Sequence, residues 1–238
     1  MLETISITVC GDGGTGKSSI SLRLVRSKWT HEYDPTVQDS YSVTRAVDGR
    51  EYQLSLTDTA GQEEYRGLWA QQNLAADAYL LVYDITNHDS LLQLDYFNDI
   101  IEMESEERML QPGAVPHVKI VAGNKCDLAN SRQVSSQEGL AWARSHDCGF
   151  METSARNVVN VEETFALLVR RVVAAREAAR NGTAAVNSGR GQQSMAANGE
   201  NPNNNMNEKE RGTNTPKPGE AGSASGASKK KFGCCVIC

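Results

Sequence analysis

Between an alternating apolar stretch (Ile5, Ile7, Val9) and apolar residues at helical spacing (Ile20, Leu24, Val25) lies Gly11-Asp12-Gly13-Gly14-Thr15-Gly16-Lys17-Ser18, a fit to G-x-x-x-x-G-K-[ST]. No other segment narrows the fold as far, because it demands a strand, a tight turn and a helix in that order. Glycines let backbone N–H groups converge on phosphate oxygens without Cβ interference, and the following helix offers its N-terminus to the same anions. In that setting Lys17 bridges β- and γ-phosphates, and the Ser18 hydroxyl ligates Mg²⁺.

The rest of the first 180 residues continues the strand–helix alternation. Val43–Val47 and Tyr52–Leu56 flank Asp48-Gly49 and read as a hairpin, the Asp-Gly pair supplying positive φ angles. Tyr79–Tyr83 and Val118–Ala122 are near-continuous apolar runs, as expected of strands covered on both faces. Helices are predicted over about 88–106, 135–146 and 158–180, the first two opened by the capping residues Asn87 and Ser135. Such alternation predicts an α/β domain with ligands at the carboxyl ends of the strands.

Two further segments fall at strand ends. Asp58-Thr59-Ala60-Gly61-Gln62 follows the third strand pattern. A carboxylate at Asp58 can hold the magnesium, Gly61 can bring its N–H to a γ-phosphate, and Gln62 can orient an attacking water. Asn124-Lys125-Cys126-Asp127 follows the apolar strand ending near Gly123. A carboxylate at Asp127 accepts from N1–H and the 2-amino group of guanine, a donor pair that adenine lacks. Asn124 can bridge neighbouring loops, and Lys125 can lay its alkyl stem over the purine.

With these three motifs in chain order, residues from about 4 to 178 resemble a Ras-type small GTPase, and Tyr33-Asp34-Pro35-Thr36-Val37 and Glu152-Thr153-Ser154-Ala155 match as well. The resemblance implies a P-loop NTPase-like, mostly parallel six-stranded sheet with one antiparallel strand and helices on both faces. It implies a GTP/GDP site built from Gly13, Gly14, Thr15, Gly16, Lys17, Ser18, Ser19, Trp29, Tyr33, Thr36, Asp58, Gly61, Asn124, Lys125, Asp127, Ser154 and Ala155. Thr36 joins Ser18 and Asp58 on Mg²⁺ and senses the γ-phosphate. Residues from Ala60 to about Leu74 form a second switch, and the Ser154-Ala155 backbone meets guanine O6. Lys17, Gly61 and Gln62 carry hydrolysis. Tyr33 through Val37 with Gln38, Asp39, Ser40 and Tyr41 form the effector region. A GTPase-activating protein, an exchange factor and a GTP-state effector are the implied partners. Trp29 stands where the family usually has Phe, Gln38 where it has Glu and Arg156 where it has Lys. The stretch from Glu102 to His117 is several residues longer than the pattern and reads as an extended surface loop.

Composition changes at Asn181. From there to Ser228 there is no Leu, Ile, Phe, Tyr or Trp, so 181–228 reads as a disordered Asn/Gly/Ser-rich linker after a 1–180 nucleotide-binding domain. Seven Lys/Arg against four Glu give residues 181–238 a net charge of +3, which leaves −9 for residues 1–180 of a chain whose total is −6. An acidic domain argues against nucleic acid as a partner. Residues 229–238 end in Lys229-Lys230-Lys231-Phe232-Gly233-Cys234-Cys235-Val236-Ile237-Cys238. The last four fit C-a-a-X, which marks Cys235 for a prenyl group, farnesyl or geranylgeranyl, with Cys234 as a palmitoylation candidate. Two lipids and three lysines predict attachment to an anionic membrane surface, the cytoplasmic face of the plasma membrane. No apolar run approaches the ~18–20 residues of a spanning helix, and Met1-Leu2-Glu3-Thr4 has no basic, apolar leader, so an intracellular protein is expected. His31, His88, His117 and His146 show no metal-ligand spacing.

Overall fold

Ile5, Ile7 and Val9 alternate with more polar residues along β1 (Glu3–Cys10), and all three are buried. That period of two places them on one face of the sheet. In the computed structural model, which describes residues 2–26, 38–59 and 76–189, β1 lies at the centre of a six-stranded sheet of order β2-β3-β1-β4-β5-β6. The other strands are β2 (Gln38–Val47), β3 (Arg50–Thr59), β4 (Ala78–Asp84), β5 (Val118–Asn124) and β6 (Gly149–Glu152). Every residue of β4 and β5 is buried, as expected of near-continuous apolar strands covered on both faces, and the one cation among them, Lys119, donates to Asn98 Oδ1 and the His146 carbonyl. Among the strand pairs of the described sheet, only β2–β3 is antiparallel. Asp48 (φ 51°) and Gly49 (φ 79°) make the turn between them, where the Asp-Gly pair placed it.

Helices cover both faces. Ile20 and Leu24 of α1 (Lys17–Arg26) and Phe165, Leu168, Val169 and Val172 of α5 (Val161–Gly189) share one core with Ile5, Ile7 and Val9. On the other face Tyr79, Leu81 and Tyr83 pack with Leu91 of α2 (His88–Leu92), Leu94, Phe97 and Ile101 of α3 (Leu94–Met109) and Ala143 of α4 (Ser136–Ser145). Asn87 and Ser135 cap as expected, their side chains accepting from the N–H groups of Asp89 and Glu138.

Three expectations need correction. The helix predicted over 88–106 is two helices, because Gln93 closes α2 with its N–H on the carbonyls of Asp89 and Leu91 before α3 begins. The final helix starts at Val161 and not 158, since Val158 (φ 57°) and Asn160 (φ 52°) are left-handed and Val159 bridges Ser154. It also runs to Gly189, past the boundary set at 181. The long 102–117 stretch is helical to Met109, and its ends are not idle: Arg108 and His117 both donate to the Ala76 carbonyl, at 3.2 and 2.7 Å. The remainder of the expected linker and the lipidation end fall outside the described residues. Among the described residues no helix is long and apolar enough to cross a membrane.

The parallel strands all point their carboxyl ends at one edge. Register pairs Val9 with Asp58 and Asp84 with Asn124, so the glycine loop after β1, the end of β3, and the loops after β4, β5 and β6 gather there.

Candidate nucleotide site

The loop from Gly11 to Gly16 turns through three positive φ values, at Gly11 (139°), Gly14 (72°) and Gly16 (93°). Two of these glycines are also sterically required. A β-carbon at Gly11 would overlap the Val82 carbonyl oxygen, and one at Gly16 would overlap Asn124 Nδ2. Within the loop the Asp12 carbonyl accepts from Thr15 Oγ1 at 2.9 Å and from Lys17 Nζ at 2.8 Å, so the ammonium curls back over the turn. Lys17 is buried, and burial lowers its pKa against the opposing pull of Asp58, Cys10 and Asp12. A buried cation beside a loop of backbone N–H groups is a standing attraction for phosphate. The first turn of α1 carries no acidic side chain that would neutralise its N-terminal dipole.

Asp58 is fully buried beside this loop, and among the described residues neither carboxylate oxygen makes a hydrogen bond of good geometry. Burial raises its pKa to about 6; the Ser18 hydroxyl and the Lys17 charge pull the other way. A buried carboxylate so poorly satisfied needs an explanation, and a hard cation supplies one. Magnesium takes one or two carboxylates, with phosphate and water completing its oxygen shell, so Ser18 and Asp58 fit it. No group of three His, Cys, Asp or Glu able to cage a metal occurs among the described residues.

The base-side loops are tied to the phosphate loop by one side chain. Asn124, buried at the end of β5, donates from Nδ2 to the Thr15 carbonyl at 2.8 Å and accepts at Oδ1 from Thr153 Oγ1 at 3.2 Å. Beyond it Ser154 Oγ donates to Asp127 Oδ1 at 2.5 Å and accepts from the Asn157 N–H at 3.0 Å. This fixes one oxygen of Asp127 and leaves the carboxylate capacity for further donors. The backbone after β6 is pinned from the other side by Arg23 Nε on the Ala155 carbonyl at 2.8 Å. Lys125 is left-handed (φ 63°), and its ammonium lies 2.7 Å from Asp84 Oδ2.

Thus the described structure brings Gly13, Gly14, Thr15, Gly16, Lys17, Ser18, Ser19, Asp58, Asn124, Lys125, Asp127, Ser154 and Ala155 to one edge of the sheet. Gln38, Asp39, Ser40 and Tyr41 lie on β2, the outermost strand beside β3; Asp39 and Ser40 are exposed, and Tyr41 donates to Asp39 at 3.1 Å. Trp29, Tyr33, Asp34, Pro35, Thr36, Val37, Gly61, Gln62, Cys234 and Cys235 lie outside the described residues. Asp84, Thr153 and Arg23 went unassigned in the sequence. Asp84-Ile85-Thr86 after an apolar strand carried a usable signal, since an aspartate at such a point favours a local turn bond; Oδ1 of Asp84 accepts from the Thr86 N–H and hydroxyl, both at 2.8 Å.

Comparison with known proteins agrees with this geometry. Residues 6–174 match the Ras family. Over 172 residues the chain is 40% identical to a Saccharomyces cerevisiae protein named Ras-like protein 1, covering 72% of this chain and 53% of that relative. The chain therefore spans about half the length of the curated relative it matches.

Proposed function

The chain belongs to the Ras family, and from that premise we propose that it is a molecular switch that binds GTP and GDP and hydrolyses GTP to GDP and phosphate. The observation that carries this reading is the Asn124–Thr15 hydrogen bond, which joins a phosphate-binding loop to a guanine-reading carboxylate in one cleft. Lys17 and the loop N–H groups hold the β- and γ-phosphates. Asp127 reads the base, and Ser154 keeps that carboxylate in place. Ser18 and Asp58, with Thr36, would hold Mg²⁺, which neutralises phosphate charge when bound. Gln62 orients the attacking water while Gly61 meets the γ-phosphate. Turnover by such a site is slow without a partner's arginine, so an activating protein and an exchange factor complete the cycle. The outer edge of β2, from Gln38 to Tyr41, is the proposed effector surface, read when the γ-phosphate orders the neighbouring Thr36 segment.

Competition binding tests the base preference: GTP should outcompete ATP by on the order of 10⁴-fold, and equal affinity would sink the proposal. Gln62→Leu should leave GTP affinity nearly intact while single-turnover phosphate release falls. Unchanged release would remove Gln62 from hydrolysis, and negligible release by the wild-type protein, with and without a cognate activating protein, would mean a binding scaffold without a hydrolytic role. The lysines at 229–231 and the Cys235 C-a-a-X end support attachment to an anionic membrane face. Cys235→Ser should move the full-length protein to the soluble fraction, and persistent membrane association would overturn the lipid-anchor reading.

A further inference from the structure

Asp84 is 8% exposed at the carboxyl end of β4, and its carboxylate is shared between two tasks. Oδ1 accepts from the Thr86 N–H and hydroxyl, while Oδ2 meets the ammonium of Lys125 at 2.7 Å. The backbone on both sides is fixed as well. Ser90 Oγ accepts from the Asp84 N–H at 3.0 Å, and the Ile85 N–H donates to the Asn124 carbonyl at 3.1 Å, one residue before Lys125. A flexible lysine is thereby tethered at its far end to a rigid, buried carboxylate. Its own backbone is left-handed, a conformation that a non-glycine residue holds only when its surroundings enforce it.

We propose that Asp84 is a positioning residue for nucleotide retention: its ion pair fixes the Lys125 ammonium, and with it the lysine stem, in the base loop. This rests on the guanine-nucleotide reading above. Lysine has more rotamer freedom to lose than almost any other side chain, and the Asp84 pair removes much of it. Binding then need not freeze the stem, and release must break a contact that is already organised. Asp84 acts through Lys125 alone and touches no nucleotide. It sits on β4, outside the three nucleotide motifs.

The test is stopped-flow release of a fluorescent GDP from the full chain, in a cycle of Asp84→Asn, Lys125→Met and the double variant. Asn keeps an acceptor for Thr86 and removes the charge that holds Lys125. Asp84→Asn should speed release by roughly tenfold, and should add almost nothing once Lys125 is Met, whose stem has no ammonium to tether. Release unchanged by Asp84→Asn, or accelerated equally in both backgrounds, would overturn the inference and leave Asp84 a structural residue. Wild-type protein that retains no guanine nucleotide would overturn the functional reading itself, and this inference with it.

Discussion

A single methyl group separates Gly16 from alanine, and the loop has no space for it. Its φ of 93° already disfavours any side chain, and the added carbon would strike the amide that Asn124 uses to hold Thr15. Gly16→Ala should therefore weaken GDP binding by about tenfold or more, measured by titration calorimetry, because it breaks the link between phosphate loop and base loop. Gly14 differs, since among the described residues nothing lies within 4 Å of where its β-carbon would be, and its positive φ is what resists substitution there. The opposite kind of residue is Tyr83. It is fully buried, and its hydroxyl has no hydrogen-bond partner among the described residues. Room for the ring comes from two glycines: a β-carbon at Gly123 would lie 2.6 Å from Tyr83 Oη, and one at Gly139 would collide with it. An unsatisfied buried hydroxyl costs about 1–3 kcal/mol, so Tyr83→Phe should stabilise the fold by about 1 kcal/mol. At fixed nucleotide concentration the midpoint of thermal unfolding should rise by roughly 3 °C. A lower midpoint would show that the hydroxyl has a partner in solution.

At the scale of elements, local chemistry sets where helices begin more firmly than where they end. Ser135 opens α4 in an extended conformation and accepts from the Glu138 N–H at 3.1 Å. Ser135→Ala should cost about 1 kcal/mol, seen as a lower urea midpoint with an unchanged slope. The same Glu138 directs its carboxylate away from the cap, to His88 Nε2 at 2.9 Å, which joins the starts of α2 and α4. Such starts were legible because a cap is a two-to-three-residue event written in adjacent side chains. So was the β2–β3 turn, where Asp48-Gly49 alone supplies the required φ angles, and so were β4 and β5 from their apolar runs. The break at Gln93 was not legible, since Leu91 and Leu94 keep helical spacing straight through it and the interruption lies in the backbone. Nor was the delayed start of α5: Asn160 is a residue type that tolerates a left-handed backbone, but Val158 is not, and its conformation goes with the pairing of Ser154 with Val159 across the turn. In the site, the motif residues were readable because each bears its chemistry in a short spacing. The bonds that position them were not: Ser154 to Asp127, Asn124 to Thr15, and Arg23 to Ala155 span 27, 109 and 132 residues, and only the fold brings them together.

Across the whole molecule the sheet separates two kinds of work. Nucleotide chemistry gathers at the carboxyl ends of the parallel strands, while the opposite edge, where β1 begins, is held by a charged clasp. Asp77 accepts at Oδ2 from the Ser6 N–H and hydroxyl, both at 2.8 Å, and at Oδ1 from Arg176 of α5 at 2.8 Å. Arg176 also reaches Glu3 at 2.8 Å and the Thr4 carbonyl at 3.2 Å, so β1, the start of β4 and α5 are fastened at one point. Burial alone would raise the Asp77 pKa, but the Ser6 donors and the Arg176 charge outweigh it and hold the carboxyl below its ordinary 3.8. The folded protein thus binds this proton less readily than the unfolded chain. Its contribution is present above pH 3.8 and is lost as pH falls through the lower folded value. Asp77→Asn should lower stability at neutral pH and flatten the acid side of the stability curve, measured by urea unfolding from pH 6 down to about 3. Arg176→Ala should cost about 1 kcal/mol or more at neutral pH, since it leaves Asp77 without its cation. Because the clasp lies across the sheet from Lys17 and Asp127, the ratio of GTP to ATP affinity should not move in either variant. A change in that ratio would mean that the two edges are coupled through the strands, and that the sheet transmits more than it holds.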